Sequence, residues 1–161
     1  YLGYGATLGT WYMGGKSPKE VTCTVDEVQG IEVDQHAIAV LHYDTGLSRM
    51  ETRWGTFTDP WSIQPQPVCG FTFVGRDGTI VSPDYAQHLT VQTRDHPEVY
   101  QIAVDKLPIG QSNPIEYVLG CIARSEAVSG PLDPTLCLTA QRIVDTASQS
   151  AKEKRTLALL P

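Results

Sequence analysis

Residues 37–54 read AIAVLHYDTGLSRMETRW, and this stretch decides the fold. Its first half is apolar on both alternating faces, which is typical of a deeply buried strand. Asp44-Thr45-Gly46 then supplies a hairpin turn. The returning half places its charged side chains on one face: Arg49, Glu51 and Arg53. The stretch therefore predicts an antiparallel hairpin with one face in the core and a charged face toward water or a partner's surface.

Residue patterns on both sides of this hairpin predict further strands. Val21, Cys23 and Val25 alternate with threonines, which is the period of two expected of a half-buried strand. More β-prone segments follow, most of them separated by turn signals: residues 69–74, 79–81, 89–92, 99–102 and a last edge strand within 156–160.

Helical patterns occupy the two ends of the chain. Residues 1–14 are apolar, aromatic and small and end in a Gly-Gly pair, which is typical of a helix and its stop. Asn113-Pro114-Ile115-Glu116 is a helix start with a capping side chain, an early proline and a capping-box glutamate. Asp133-Pro134 begins another helix. The first of these internal helices carries an apolar stripe that we expect to face the core: Ile115, Val118, Leu119 and Ile122.

Strands in the middle with helices at the ends predict an α+β fold. We expect one mostly antiparallel open sheet with helices packed on one face, leaving the other face available for oligomerisation. The apolar side chains suggested for that interface are Met50, Trp54, Phe71 and Phe73. At 161 residues, the whole chain, 1–161, is predicted to be a single domain.

Composition argues against several functions. The net charge of −6 disfavours a nucleic-acid partner, which needs clustered lysine and arginine. No apolar run reaches the roughly 18 residues that span a bilayer, so no membrane partner is expected. Neither the histidines nor the cysteines have metal-ligand spacing, so no metal site is predicted. The cysteines are expected to be buried thiols of a cytoplasmic protein: Cys23, Cys69, Cys121 and Cys137.

The beginning of the chain predicts a piece of a longer protein. The first residue is Tyr1 rather than Met, and no Ser, Thr, Asp or Asn precedes the opening helix to cap it. The glycine-rich string Gly3-x-Gly5-x-x-x-Gly9 does not qualify as a cofactor motif. It has one residue more than a dinucleotide fingerprint and follows no strand. We therefore predict no cofactor-binding residues in this chain.

Five local strings, taken in order, carry a family resemblance: residues 3–14, 74–79, 113–117, 130–132 and 143–151. Together they resemble the C-terminal domain of the glucose-fructose oxidoreductase / inositol dehydrogenase (Gfo/Idh/MocA) family, nearest its glucose-fructose oxidoreductase-like branch. Each string is weak alone, but their order and spacing are specific, and the similarity covers nearly the whole chain.

The resemblance implies an NAD(P)-dependent oxidoreductase that acts on a sugar or polyol by hydride transfer. Its N-terminal Rossmann domain, absent from this chain, would bind NAD or NADP and carry a catalytic lysine. This chain would be the C-terminal substrate and oligomerisation domain, inactive alone and without a cofactor of its own. Its implied partners are the Rossmann domain, further copies of the chain, and the sugar or polyol.

The family's link helix carries a D-x-x-x-H motif, with tyrosine replacing histidine in the glucose-fructose oxidoreductase branch. Aligning Trp11-Tyr12-Met13-Gly14 with the end of that helix puts Tyr4 at the His/Tyr position and the aspartate one residue before Tyr1. Oxidising an alcohol requires its hydroxyl proton to leave. Because tyrosine ordinarily titrates at roughly pH 10, it would need the family's lysine as a neighbouring cation. The resemblance thus makes Tyr4 the candidate catalytic residue, with packing on an apolar helix as the alternative.

Trp54 and the loop at residues 56–61 combine aromatic rings with a carboxylate. Since sugars often stack on aromatic rings and long loops often carry function, Trp54, Asp59 and Trp61 are candidate substrate-binding residues. An ordinary core position suits Trp54 equally well. The alternative to an enzyme domain is a non-catalytic module for sheet-mediated dimerisation or carbohydrate binding. An upstream reading frame with G-x-G-x-x-G favours the enzyme, and a start codon just before Tyr1 favours the module.

Overall fold

The computed structural model describes residues 2–26, 33, 35–54, 63, 66 and 68–161. The elements follow one another there in the order helix, seven strands, two helices and a final strand. Their bounds are α1 Leu2–Tyr12, β1 Glu20–Asp26, β2 His36–Tyr43, β3 Gly46–Arg53, β4 Gly70–Val74, β5 Gly78–Pro83, β6 His88–Thr93, β7 Tyr100–Ala103, α2 Pro114–Arg124, α3 Pro134–Glu153 and β8 Leu157–Ala158, with a 3₁₀ turn at Gly130–Leu132 before α3.

The chain divides into two compact units. Unit 1 comprises Tyr1–Gly55 and Asn113–Pro161, and unit 2 comprises Thr56–Ser112. The first sheet, in unit 1, has the strand order β3-β2-β1-β8, and the second sheet, in unit 2, has the order β4-β5-β6-β7. All neighbouring strands pair antiparallel. The predicted α+β class with antiparallel open sheets is confirmed, but the described strands form two sheets where the sequence predicted one.

One face of the first sheet forms the core beneath α1 and α3. The strand register places Val21 opposite Leu41, and Ala39 opposite Met50. These side chains are buried, and they pack with buried residues of the helices: Ala6, Ala140, Ile143 and Ala147. Met50, which the sequence suggested for an oligomer interface, therefore lies in the core, because its alternation with the charged residues of β3 points it toward the helices.

Helix α1 lies unusually close to β3. A Cβ atom added at Gly5 would stand 3.3 Å from Met50 Sδ, and one at Gly9 would stand 3.4 Å from Ser48 Oγ. Because residue numbers rise along the helix while they fall along the strand at these two contacts, α1 runs antiparallel to β3. The beginning of α1 and the end of β3 therefore lie at the same end of unit 1.

Two hydroxyl groups of α3 form hydrogen bonds with backbone groups of neighbouring segments. Ser150 Oγ accepts a hydrogen bond from the Cys23 amide of β1 (2.9 Å) and donates to the Arg155 carbonyl (2.6 Å). Thr146 Oγ1 accepts from the Leu160 amide beyond β8 (3.1 Å). Both hydroxyl side chains are fully buried. They satisfy backbone groups that the strand ladder leaves without a partner at the edge of the sheet.

The start of α2 agrees with the sequence, but its apolar stripe does not lie in the core. Asn113 Oδ1 accepts hydrogen bonds from the amides of Ile115 (2.8 Å) and Glu116 (3.4 Å), as the capping pattern predicted. Ile115, Leu119 and Ile122 are nevertheless 67%, 59% and 67% exposed. The prediction that this stripe faces the core is wrong, because helical periodicity identifies an apolar face without identifying what covers it.

The second sheet has one apolar face and one polar face. Its register aligns Phe73 with Ile80, Ile80 with Val91, and Val91 with Tyr100. Phe71, Leu89 and Ile102 share that face, whereas the opposite face is rich in threonine and glutamine. The described part of unit 2 contains no helix that could cover the apolar face.

The four cysteines differ in their exposure. Cys23 and Cys121 are buried as predicted, whereas Cys69 and Cys137 are exposed. The prediction of burial is wrong for Cys69 and Cys137: Cys69 precedes β4, and Cys137 lies on α3 one position from the buried Leu136. None of the helices described is both long and apolar enough to cross a membrane.

We predict that Ser150→Ala destabilises the protein by about 1–3 kcal/mol, because the Cys23 amide would lose its hydrogen-bond acceptor in a buried environment. Urea unfolding measures this free energy. Ser148→Ala is the matched control, since Ser148 is exposed on the same helix and the same gain in helix propensity applies. Equal unfolding midpoints for the two variants would contradict the prediction.

Candidate functional site

Tyr4 lies on the outer surface of α1 and is 74% exposed. It borders a groove of about 290 Å³ between α1 and α3, both of which belong to unit 1. The lining residues come from one face of each helix: Gly3, Tyr4 and Thr7 of α1, and Cys137, Ala140, Gln141 and Val144 of α3. The candidate catalytic residue is therefore placed at an open groove rather than in the core.

The groove carries several groups that form hydrogen bonds. Thr7 Oγ1 donates to the Gly3 carbonyl (2.9 Å), and Gln141 Nε2 donates to Asp145 Oδ1 (2.9 Å). Sequence reasoning missed Thr7 and Gln141. A signal for Thr7 existed, because a residue three positions after Tyr4 shares its helical face. None of the residues lining the groove in the described part of the chain is basic.

Of the three substrate-binding candidates, the structure describes Trp54. Trp54 follows β3 directly and is 60% exposed, so it does not occupy an ordinary core position. Its backbone amide donates to the Gln35 carbonyl (2.7 Å). Because α1 is antiparallel to β3, Trp54 and Tyr4 lie at the same end of unit 1. Asp59 and Trp61 lie outside the described residues.

A second tyrosine shows the contrast between a structural and an accessible phenol. Tyr43, at the end of β2, is buried and lies with its hydroxyl 3.4 Å from Thr10 Oγ1 of α1. Burial raises the pKa of the Tyr43 phenol, because the charged form would lose its hydration, although the Thr10 hydrogen bond opposes the shift. Tyr43 therefore serves as a neutral packing residue, and Tyr4 is the tyrosine of this unit that lines the groove.

The face of the first sheet opposite the helices carries a charged cluster centred on Glu51. His36 Nε2 lies 2.9 Å from Glu51 Oε1, and Arg53 contacts the same oxygen at 3.2 Å. Arg49 contacts Oε2 at 3.2 Å. The His36 hydrogen bond, assisted by the two arginines, lowers the pKa of the Glu51 carboxyl below its usual value. The charged face predicted for this hairpin is thus present, with three basic groups around one carboxylate.

Other candidate sites are weak. A larger groove of about 570 Å³ follows residues 96–100 of unit 2 and contains none of the candidate catalytic or substrate-binding residues. Within the ranges that the structure describes, no three His, Cys, Asp or Glu side chains are grouped so as to hold a metal ion.

No family model matches the sequence, and no curated protein matches it. Solved structures do match. The aldose-aldose oxidoreductase from Caulobacter crescentus, complexed with glycerol, has a TM-score of 0.71 at 17% identity over 98% of this chain and 45% of its own. An NAD binding oxidoreductase from Klebsiella pneumoniae has a TM-score of 0.71 at 11% identity over 99% and 50%. Levoglucosan dehydrogenase, in complex with NADH and L-sorbose, has a TM-score of 0.63 at 15% identity over 89% and 45%.

At these identities the likeness shows the fold. The matching structures are oxidoreductases, and the part that matches is the C-terminal part of their chains. The resemblance that the sequence motifs indicated is therefore confirmed at the level of fold. The chain spans about half the length of the structures that it matches.

The Glu51 cluster predicts a pH-dependent contribution to stability. Because the folded-state pKa of Glu51 is lowered, the contribution is complete above the usual carboxyl pKa and is lost as the pH falls through the lower folded value. We expect the melting temperature of Glu51→Gln to lie below that of the wild type near pH 6 and to approach it as the pH is lowered below the usual carboxyl range.

Thermal melts across this pH range test this expectation. Glu20→Gln, on the same face of the first sheet, is the control and should show no such convergence, since Glu20 makes no ion pair among the described residues. A Glu51→Gln difference that stays constant with pH would contradict the assignment.

Proposed function

We propose that this chain is the C-terminal, substrate-side domain of an NAD(P)-dependent oxidoreductase that acts on a sugar or polyol by hydride transfer. The observation that supports this best is the match of nearly the whole chain to about half of several oxidoreductases. Among these, one holds glycerol and another NADH with L-sorbose. A Rossmann domain in the other half of the parent would bind NAD or NADP, so this chain alone would be inactive.

Tyr4 is proposed as the residue that exchanges the substrate's hydroxyl proton. The nicotinamide, when bound by the parent, supplies the hydride acceptor. The remaining task is to take the proton from the hydroxyl oxygen as the carbonyl forms, and an accessible phenol on a fixed helix can do this if a cation assists it. Since no basic residue lines the described groove, that cation is proposed to be the lysine of the Rossmann domain.

Exposed aromatic residues on the outer surface of α1 support the proposal that a partner domain covers this helix. Beside Tyr4, Trp11 and Tyr12 are exposed on this helix, with their ring centroids 5.0 Å apart. A helix that is apolar on its outer as well as its inner side is normally covered on both. The Rossmann domain is the proposed cover. Trp54, Asp59 and Trp61 are proposed to contact the substrate.

We also propose that the chain pairs with a second copy through the apolar face of the second sheet. Phe71, Phe73 and Ile80 share that face, and Ile80 is 40% exposed. A two-fold contact needs only one self-complementary patch, and an apolar sheet face can serve as one. The same face supports the alternative function, a non-catalytic dimerisation or carbohydrate-binding module.

A cytoplasmic location is proposed for the parent. The thiols of Cys121 and Cys137 are free, which suits a reducing compartment.

We predict that Tyr4→Phe lowers kcat of the full-length parent by about 10²- to 10⁴-fold, because the phenolic oxygen that exchanges the proton is removed while the ring is retained. Steady-state oxidation of polyols with NAD or NADP measures this. Tyr85→Phe is the control and should leave kcat unchanged, since Tyr85 is exposed and belongs to unit 2. Unchanged turnover of Tyr4→Phe would remove Tyr4 from the mechanism. A parent protein without a nucleotide-binding domain would favour the alternative function, the dimerisation or carbohydrate-binding module.

We predict that Ile80→Lys converts the dimer of this chain to a monomer, because a charge would be buried at the centre of the apolar patch. Light scattering of the purified chain measures the mass. Val74→Lys is the control, since Val74 lies on the opposite face of the same hairpin and is exposed. A monomeric wild type, or dimers that survive Ile80→Lys, would contradict pairing through this face.

A further inference from the structure

Gln141 has a carboxamide group whose orientation is determined by its neighbour on α3. Its Nε2 donates to Asp145 Oδ1 at 2.9 Å, one helical turn later. An ionised carboxylate can only accept hydrogen bonds, so the amide nitrogen must face Asp145. The carbonyl Oε1 and the second N–H of Gln141 then point away from that bond.

This oriented group borders the same groove as Tyr4. The bottom of the groove between the two helices includes a small residue, Ala140, which is almost fully buried. Above it there is room, because a Cβ at Gly3 would meet nothing within 4 Å. The polar groups along the groove are thus a phenol and a hydroxyl from α1, Tyr4 and Thr7, facing a carboxamide from α3, Gln141.

A carboxamide both donates and accepts hydrogen bonds, and so does a sugar hydroxyl. We infer that Gln141, oriented by Asp145, binds a hydroxyl of the substrate adjacent to the one whose proton Tyr4 takes, and so favours polyhydroxylated substrates over simple alcohols. This inference rests on the proposed function. Gln141 is then a specificity-determining residue, and Asp145 is a positioning residue that acts through it.

The same helix contains a matched pair outside the groove. Gln149 Nε2 donates to Glu153 Oε1 at 2.7 Å, with the same spacing of four residues and on an exposed surface. Gln149 does not line the groove. A purely structural role for such a pair, as a surface contact that stabilises the helix, would make the two glutamines equivalent.

The experiment compares Gln141→Met with Gln149→Met in the full-length parent enzyme. Methionine keeps the length of the side chain and its helix propensity while removing the polar group. For a polyol substrate we expect Gln141→Met to raise KM about three- to tenfold with kcat nearly unchanged, which is the loss of one neutral hydrogen bond. For a secondary alcohol with a single hydroxyl, and for Gln149→Met with either substrate, KM should not change.

Two results would overturn the inference while the proposed function stands. One is a wild-type parent that oxidises the polyol together with a Gln141→Met variant of unchanged KM. The other is an equal KM increase for the polyol and the single-hydroxyl alcohol, because the residue would then not distinguish them. A wild-type parent that transfers hydride from no polyol would overturn the proposed function and this inference together. Asp145→Ala should raise the polyol KM less than Gln141→Met does, and an Asp145→Ala effect on the single-hydroxyl alcohol would contradict its positioning role.

Discussion

The close packing of α1 against β3 is the contact on which the candidate site depends. Three of the eleven residues of this helix are glycines, and each costs about 1 kcal/mol of helix stability relative to alanine. The helix is stabilised instead by its approach to the sheet, where Gly5 lies against Met50 and Gly9 against Ser48. Ala6 and Thr10 are fully buried at this contact. Glycine thus weakens the isolated helix and allows the packing that holds Tyr4 in place.

The groove forms because α1, packed against β3, also lies beside α3. Helix α3 is held in turn by Ile143 in the core and by the Ser150 hydroxyl on the backbone of β1. Residues far apart in sequence, Tyr4 and Gln141, therefore border one groove only when both helices rest on the same sheet face. A loss of packing at β1 or β3 would alter the site without touching any residue that lines it.

The sequence predicted those features that local chemistry determines. Alternation placed the strands within one or two residues, and Asn113 and Asp133 marked helix starts whose capping hydrogen bonds the structure contains. What the sequence could not supply was the partner of each apolar face. It assigned the stripe of α2 to the core and put all strands in one sheet, because a periodic pattern contains no information on which surfaces meet. Tyr4 came from the resemblance, and Gln141 was missed because a polar residue on a helix is by default solvated.

The exposure of Tyr4 has a consequence for the proposed chemistry. Hydride transfer proceeds in a site from which water is excluded, since water competes for the proton and weakens every electrostatic contact. A phenol that is 74% exposed does not meet this condition. If Tyr4 exchanges the substrate proton, a second surface must cover α1 during the reaction and bring a cation, since none of the described lining residues is basic. In the proposed parent enzyme one partner meets both requirements, a domain that supplies the cofactor, the lysine and the cover at once. The open groove is the geometry expected of half of such a site.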